Sequence, residues 1–275
     1  LVKEKRLNRS ILVFFILYVA LGIVNFFIYD QELTGVAQRW SVNLGESSSI
    51  WTQINPMTLI MSGLIILILI FFARTVKFER IPGRKQSLIE LMFDYFWELV
   101  EDSVPDKKFR KSTFIISMSL FLFIAFANVI SGIPGIDVVP TGDGGLSIEL
   151  FTNTWYTPTS DLNTNLTFAL MVFVISHFFA IRSKGFGKWL KSFFEPTPIM
   201  FPMNLISELA KPISHSLRLF GNIMGGSILV LIISYMLKYF VLPVFLWGFF
   251  GWFVGLIQAF VFALLAIAYI GSLLE

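Results

Sequence analysis

The sequence predicts an all-α, polytopic membrane protein with upright N-terminal helices, an interfacial amphipathic helix, and a C-terminal hairpin of two long, strongly tilted membrane helices. Three observations carry that expectation. The 275 residues are 56% hydrophobic and 14% charged, where a soluble domain carries roughly 25% charged residues. The apolar residues gather into six runs, near residues 11–29, 56–73, 113–131, 164–181, 200–237 and 240–274; several approach the ~20 residues that cross about 30 Å of hydrocarbon. Lys and Arg cluster beside these runs, as juxtamembrane anchors do.

That placement of the cations also argues against a nucleic-acid partner, despite a net charge of +3 and a pI near 9.1. With no Cys there is no disulfide, thiolate nucleophile or cysteine metal site. His177 and His215 lie far apart in sequence, which makes a histidine metal centre a poor reading, and no resident cofactor is expected. The whole chain, 1–275, is read as a single membrane domain. Residues 1–55 supply an N-terminal helix and outer loop, 56–199 the middle helices, and 200–275 the tilted hairpin.

Taken in order, the first run follows Lys3, Lys5, Arg6 and Arg9 and lacks a small-residue cleavage pattern after it. It reads as an uncleaved signal-anchor helix. Arg74, Lys77, Arg80, Arg84 and Lys85 follow the second run, and Arg182, Lys184, Lys188 and Lys191 follow the fourth. The stretch from Ser131 to Asn163 has no Lys or Arg but carries Asp137, Asp143, Glu149 and Asp161. Positive-inside logic therefore puts the N-terminus and both basic loops in the cytoplasm.

Between the second and third runs, Ser87 to Val104 has the pattern of an amphipathic helix. Leu88, Ile89, Leu91, Met92, Tyr95, Phe96 and Leu99 form its apolar face, opposite Glu90, Asp94, Glu98 and Glu101. It is expected to lie along the cytoplasmic interface. The loop from Gly132 to Asn163, rich in Gly, Pro, Asp and Thr, is expected to be irregular. The last two runs are each long enough to exceed about 50 Å as helices. Tilting would absorb the excess, with a tight turn near Lys238 and Tyr239; splitting each run into two short elements is the alternative.

The fifth run carries the chemistry. Asn204, Glu208, Lys211, His215, Arg218, Asn222 and Gly225 are spaced alternately four and three residues apart, which puts them on one helical face. Such a stripe must face protein or water, because lipid cannot solvate it. Arg218 is the deepest charge. A guanidinium at the bilayer centre costs at least about 2.5–3.5 kcal/mol on insertion scales, and it stays charged.

No acid follows Glu208 until Glu275. Glu208 is about 15 Å from Arg218 along a helix, so the arginine's carboxylate is expected on another chain. Glu208 and Lys211, one turn apart, suit a local pair at the cytoplasmic mouth. His215 reads as a satisfied polar side chain or as a relay member; His177 reads as structural. In the sixth run, Gly248, Gly251, Gly255, Ala259, Ala263 and Ala266 form one small-residue face suited to close helix approach. Gln258 is its one strongly polar deep residue, serving as packing glue or as a partner near Arg218. Gly221, Gly225 and Gly226 would let a partner surface approach. Asp161, Asn163 and Asn165 open the fourth helix, either as capping residues or as a hydrated path for cations.

These residues resemble a known family. Lys211-Pro212-Ile213-Ser214-His215-Ser216-Leu217-Arg218-Leu219-Phe220-Gly221-Asn222-Ile223, preceded by Asn204-Leu205-Ile206-Ser207-Glu208, is similar to the signature of subunit a of F-type ATP synthases. So are Gln258-Ala259-Phe260-Val261-Phe262, Pro158-Thr159-Ser160-Asp161-Leu162-Asn163, and the Gly-Arg-Lys-Gln stretch before the amphipathic helix. The similarity covers roughly residues 50–274. It implies a stator in the bacterial inner membrane, set against a ring of c subunits, each with an essential carboxylate, and held by peripheral-stalk b subunits.

Arg218 matches the family's essential arginine, and Asn222 and Gln258 match polar neighbours lining the path of a transported cation, Na+ or H+. Many proton-driven members have Glu where Ser227 stands and His where Gly251 stands. In that respect the pattern resembles sodium-motive members. A stand-alone secondary transporter is the alternative from another class, but the internal repeat it predicts is not evident. An intramembrane hydrolase would need a nucleophile–base pair or a metal set, and neither is visible.

Overall fold

The computed structural model describes residues 53–75, 79, 83–140, 146–237, 245–246 and 248–275, with isolated residues among 12–23 and 42–43. The expected first helix, 11–29, lies largely outside the described residues, and so does the turn near Lys238 and Tyr239.

The helices with defined bounds among the described residues are α1 (Pro56–Thr75), α2 (Arg84–Ser103), α3 (Lys107–Ser131), α4 (Leu162–Lys184), α5 (Phe186–Ser192), α6 (Phe201–Leu237) and α7 (Gly255–Leu274). A π-helical turn, Phe249–Val254, leads into α7. Among the described residues, four helical stretches are long and apolar enough to cross a membrane: α1, α3, α4 and Phe249–Leu274. α6 is longer still, at 37 residues, and carries Glu208, Lys211 and Arg218. The membrane part is helical and polytopic, as expected.

Local chemistry sets the helix ends. Pro56 opens α1, a position where its missing N–H costs nothing, and the Asn55 side chain accepts from the Met57 N–H at 2.9 Å. Asp106 does the same for α3, accepting from Lys108 at 3.0 Å. It thereby starts that helix several residues before its apolar run. α4 stops at Gly185, whose φ of 85° is a conformation glycine adopts without steric cost. α6 runs unbroken through Pro212, so the fifth run is one long helix rather than two short ones.

The loop expected to be irregular is instead largely a hairpin. Strands Pro134–Pro140 (β3) and Leu146–Thr154 (β4) pair antiparallel, with Asp137 opposite Glu149 and Val138 opposite Ile148. A smaller pair, β1 (Val42–Asn43) with β2 (Gln53–Ile54), lies earlier in the chain. The Gly, Pro and Asp content of the loop drew attention away from the β-branched residues Ile136, Val138, Val139 and Ile148, which favour extended pairing.

The chain divides into two compact units. In the unit made of Ser62–Ala127, Thr159–Asn222 and Leu256–Glu275, the core joins α2, α3, α4 and α7. Phe96, Val100, Val104, Phe109, Met118, Phe179, Ile267 and Ile270 are all buried there. Phe109 stacks on Phe179 at 4.7 Å, and Phe96 meets Phe121 at 4.9 Å. Gly271 lets α7 touch the end of α2, since a Cβ there would sit 2.3 Å from the Ser103 carbonyl oxygen.

The apolar face of α2 is only partly used in this core. Phe96 is buried while Leu88, Leu91 and Tyr95 remain exposed. One edge holds the helix to the protein and the other is free to meet lipid, which is the division an interfacial helix requires.

In the other unit (Leu1–Met61, Asn128–Pro158 and Ile223–Gly255), the π-helical turn lies against the end of α3. Asn128 donates to the Gly255 carbonyl at 2.9 Å, and the Trp252 indole donates to the Val129 carbonyl at 3.1 Å. A Cβ at Gly251 would lie 2.5 Å from the Gly132 Cα. These small residues therefore bring backbones together.

Candidate ion-path site

The polar stripe of α6 separates into a buried edge and an open one. Pro212, His215, Ser216 and Leu219 are buried; Ile213, Leu217, Arg218, Gly221 and Asn222 are exposed. The stripe was expected to face protein or water, and the helix is rotated so that His215 lies on the protein side and Arg218 on the open side. Packing decides this, since the uncharged side chains of Pro212, Ser216 and Leu219 fit against the chain while a guanidinium does not.

On the buried edge, His215 is 1% exposed. Its Nε2 lies 3.2 Å from the Phe262 carbonyl oxygen, and a carbonyl can only accept, so Nε2 carries the proton. Nδ1 is then a bare acceptor, buried and without a hydrogen bond among the described residues. The ring rests on Phe262 at 3.7 Å and meets Tyr269 edge-on at 5.4 Å.

One turn beyond Arg218, Asn222 donates its amide N–H to Gln258 Oε1 at 2.6 Å. Gln258, 5% exposed, keeps an amide nitrogen without a hydrogen bond among the described residues. The two amides therefore meet across α6 and α7. Arg218 itself makes no hydrogen bond or ion pair among the described residues; the ion pairs there are Arg110–Glu101, His177–Glu208 and Lys211–Glu208.

Among the described residues, nothing lies within 4 Å of a Cβ built on Gly221 or Gly225, so among them the surface beside the arginine is open to a close neighbour. Gly226 is different: a Cβ there would sit 2.9 Å from the Phe250 ring. It serves packing within the chain, not approach from outside.

Toward the start of α6, Glu208 pairs with Lys211 through Oε1, and its Oε2 lies 3.8 Å from His177 Nε2. The Trp189 indole donates to His177 Nδ1 at 3.3 Å, which leaves the proton on Nε2, facing the carboxylate. His177, read from sequence as merely structural, is thus part of the charged cluster. Ser176, Glu208, Lys211 and Tyr269 line a small cleft between Phe173 and Leu273. Asn204 anchors the start of the helix, donating to the Phe193 and Glu195 carbonyls at 2.9 and 3.0 Å.

The remaining candidates make local contacts. Asp161 caps α4, accepting from the Asn163 N–H at 3.0 Å. Asn165 is fully buried and donates to the Thr159 carbonyl at 2.7 Å; Asn163 is exposed. Sixteen residues of helix, about 24 Å, separate Asp161 from His177. The Ser227 hydroxyl donates back to the Ile223 carbonyl at 2.9 Å and is exposed.

Sequence reasoning missed Asn128, a buried amide whose signal was its isolation inside an apolar run. It also missed Tyr269 and the Phe262 carbonyl, which no sequence pattern marks.

The long apolar helices define a multi-pass membrane protein. The chain belongs to the ATP synthase A chain family, whose model matches residues 56–271. Among curated relatives, ATP synthase subunit a of Acidothermus cellulolyticus is 35% identical over 222 residues, covering 80% of this chain and 76% of that protein. The subunit of Moorella thermoacetica is 34% identical over 210 residues, covering 76% and 85%. That of Enterococcus hirae is 34% identical over 229 residues, covering 80% and 90%.

Proposed function

We propose that this chain is the membrane stator of a rotary ATP synthase, passing Na+ or H+ through two half-channels to a ring of c subunits, with peripheral-stalk b subunits holding it in place. The observation that carries this reading is Arg218, exposed on α6 beside Gly221, with no ion pair among the described residues. A permanent cation so placed suits carboxylates borne by a moving neighbour.

A ring carboxylate arriving opposite Arg218 releases its cation because the guanidinium replaces the ion's charge. Leaving the arginine, the carboxylate must be neutralised again before it enters lipid, since a bare anion there is costly. The fixed positive charge also bars ions from running directly between the half-channels. Asn222 and Gln258 hydrate and orient the crossing, and the Glu208–Lys211–His177 cluster forms the cytoplasmic mouth. Asp161, Asn163, Asn165 and Ser227 supply oxygens on the outer path. Each charge falling through 150 mV releases about 3.5 kcal/mol, so several ions are needed per ATP.

Sodium is favoured over protons as the coupling ion. Ser227 offers an oxygen ligand but no titratable group, and Gly251 sits so close to Gly132 that no side chain fits there. The test is ATP hydrolysis by the intact complex titrated with sodium at alkaline pH. Strong activation supports sodium coupling; no response assigns protons. Ion-coupled ATP synthesis that survived Arg218→Ala at wild-type rates would remove the stator role altogether.

A further inference from the structure

We infer that the joined ends of α3 and α4 form a binding site for anionic phospholipid. Two basic segments far apart in sequence meet there. Ser183 on α4 donates to Asp106 Oδ2 at the start of α3, at 3.1 Å across 77 residues, and the Phe109–Phe179 stack lies directly beneath. That contact sets Lys107 and Lys108 near Arg182 and Lys184; Lys111 lies one turn further along α3, and Lys188 and Lys191 follow on α5. All but Lys184, which is half-buried, are exposed, and none of the seven has an ion pair among the described residues. Asp106 already accepts from Lys108 N–H and Ser183, while Asp102 and Glu195 flank the platform. The balance remains strongly positive.

What lies below the cations selects lipid over an acidic peptide. Leu170, Val174, Phe178 and Arg182 are four residues apart and form one stripe on α4. Leu170, Val174 and Phe178 are 45%, 62% and 56% exposed. The stripe is about 18 Å long, close to the roughly 15 Å of one leaflet's hydrocarbon. An acyl chain can lie along it with its phosphate at Arg182. Beside it, Phe186 and Leu190 of α5 are exposed between Lys184, Lys188 and Lys191, an alternation that suits the boundary between headgroup and hydrocarbon.

The experiment uses the complete synthase complex in neutral detergent, with thermal unfolding and lipid retention in native mass spectrometry as readouts. The probes are phosphatidylglycerol, phosphatidylcholine and inorganic phosphate. Phosphatidylglycerol is expected to bind and stabilise, with the other two ineffective. Either triple variant, Lys107→Gln/Lys108→Gln/Lys111→Gln or Lys184→Gln/Lys188→Gln/Lys191→Gln, should weaken that binding, by roughly fivefold for each lysine removed. Arg74→Gln, at the end of α1, should leave it intact.

In the wild-type complex the preference for phosphatidylglycerol should fall steeply with added salt, a readout independent of whether the variants fold. Equal binding of the two lipids, a salt-independent preference, or loss caused equally by Arg74→Gln would overturn the site. Cross-linking of the lysines to an acidic segment of another subunit in the lipid-replete complex would also refute it.

Discussion

Replacing Arg218 with Gln should separate stability from function. The guanidinium makes no hydrogen bond or ion pair among the described residues, so its loss breaks none there. An exposed substitution of that kind changes stability by no more than about 0.5 kcal/mol.

Arg110 is the internal contrast. It is paired with Glu101 and donates to the Val104 carbonyl at 3.0 Å. Arg110→Gln should therefore cost about 1–2 kcal/mol while leaving ion coupling intact. Two assays decide: thermal unfolding of the complex, and ATP synthesis driven by an imposed ion gradient in reconstituted vesicles. Arg218→Gln is expected to keep its unfolding midpoint and lose at least about 100-fold in synthesis, equivalent to about 2.7 kcal/mol of barrier. A variant that unfolds easily, as though a carboxylate within the chain had been stranded, would refute the reasoning. Retained synthesis would do so equally.

Three further outcomes follow from the same geometry. Asn222→Ala and Gln258→Ala should each cost about 1 kcal/mol, and the double variant should cost less than the sum, since both break one bond of 2.6 Å; a double-mutant cycle by thermal unfolding reads this coupling. His215→Ala should destabilise by about 2–4 kcal/mol, because it empties a fully buried site against Phe262. His215→Phe, which keeps the volume and loses one hydrogen bond, should cost nearer 1 kcal/mol, as denaturation of the two purified variants would measure. Gly271→Ala should cost about 1–3 kcal/mol, since its new methyl would meet the Ser103 carbonyl at 2.3 Å; reduced accumulation of assembled complex and a lower unfolding midpoint are the readouts.

Much of the helical architecture was legible in the residues themselves. Apolar runs locate α1, α3 and α4 to within a few residues, missing mainly the polar first turns such as Lys107–Ser112, where Asp106 starts the helix outside the hydrophobic run. The small-residue face of the last helix signals close packing, and its Gly251 and Gly255 each adjoin backbone or side chain of another segment; Gly271, which that face does not include, does so too. The β3–β4 hairpin was not legible. Its strands alternate only weakly, and pairing depends on a partner rather than on local preference.

The sequence by itself determined that a permanent charge would sit within a long membrane helix, on the same face as His215 and Asn222. Helical periodicity and the chemistry of guanidinium in hydrocarbon are local properties, readable from one segment. Only the tertiary structure decided which edge of that face is closed and which is open. It sets His215 against the Phe262 carbonyl, joins Asn222 to Gln258, draws His177 toward Glu208, and leaves Arg218 outside. Those choices depend on how residues 31 (His177 and Glu208) to 47 positions apart fit together. The rotation of a helix about its own axis is fixed by the neighbours it packs against, not by its own order of residues.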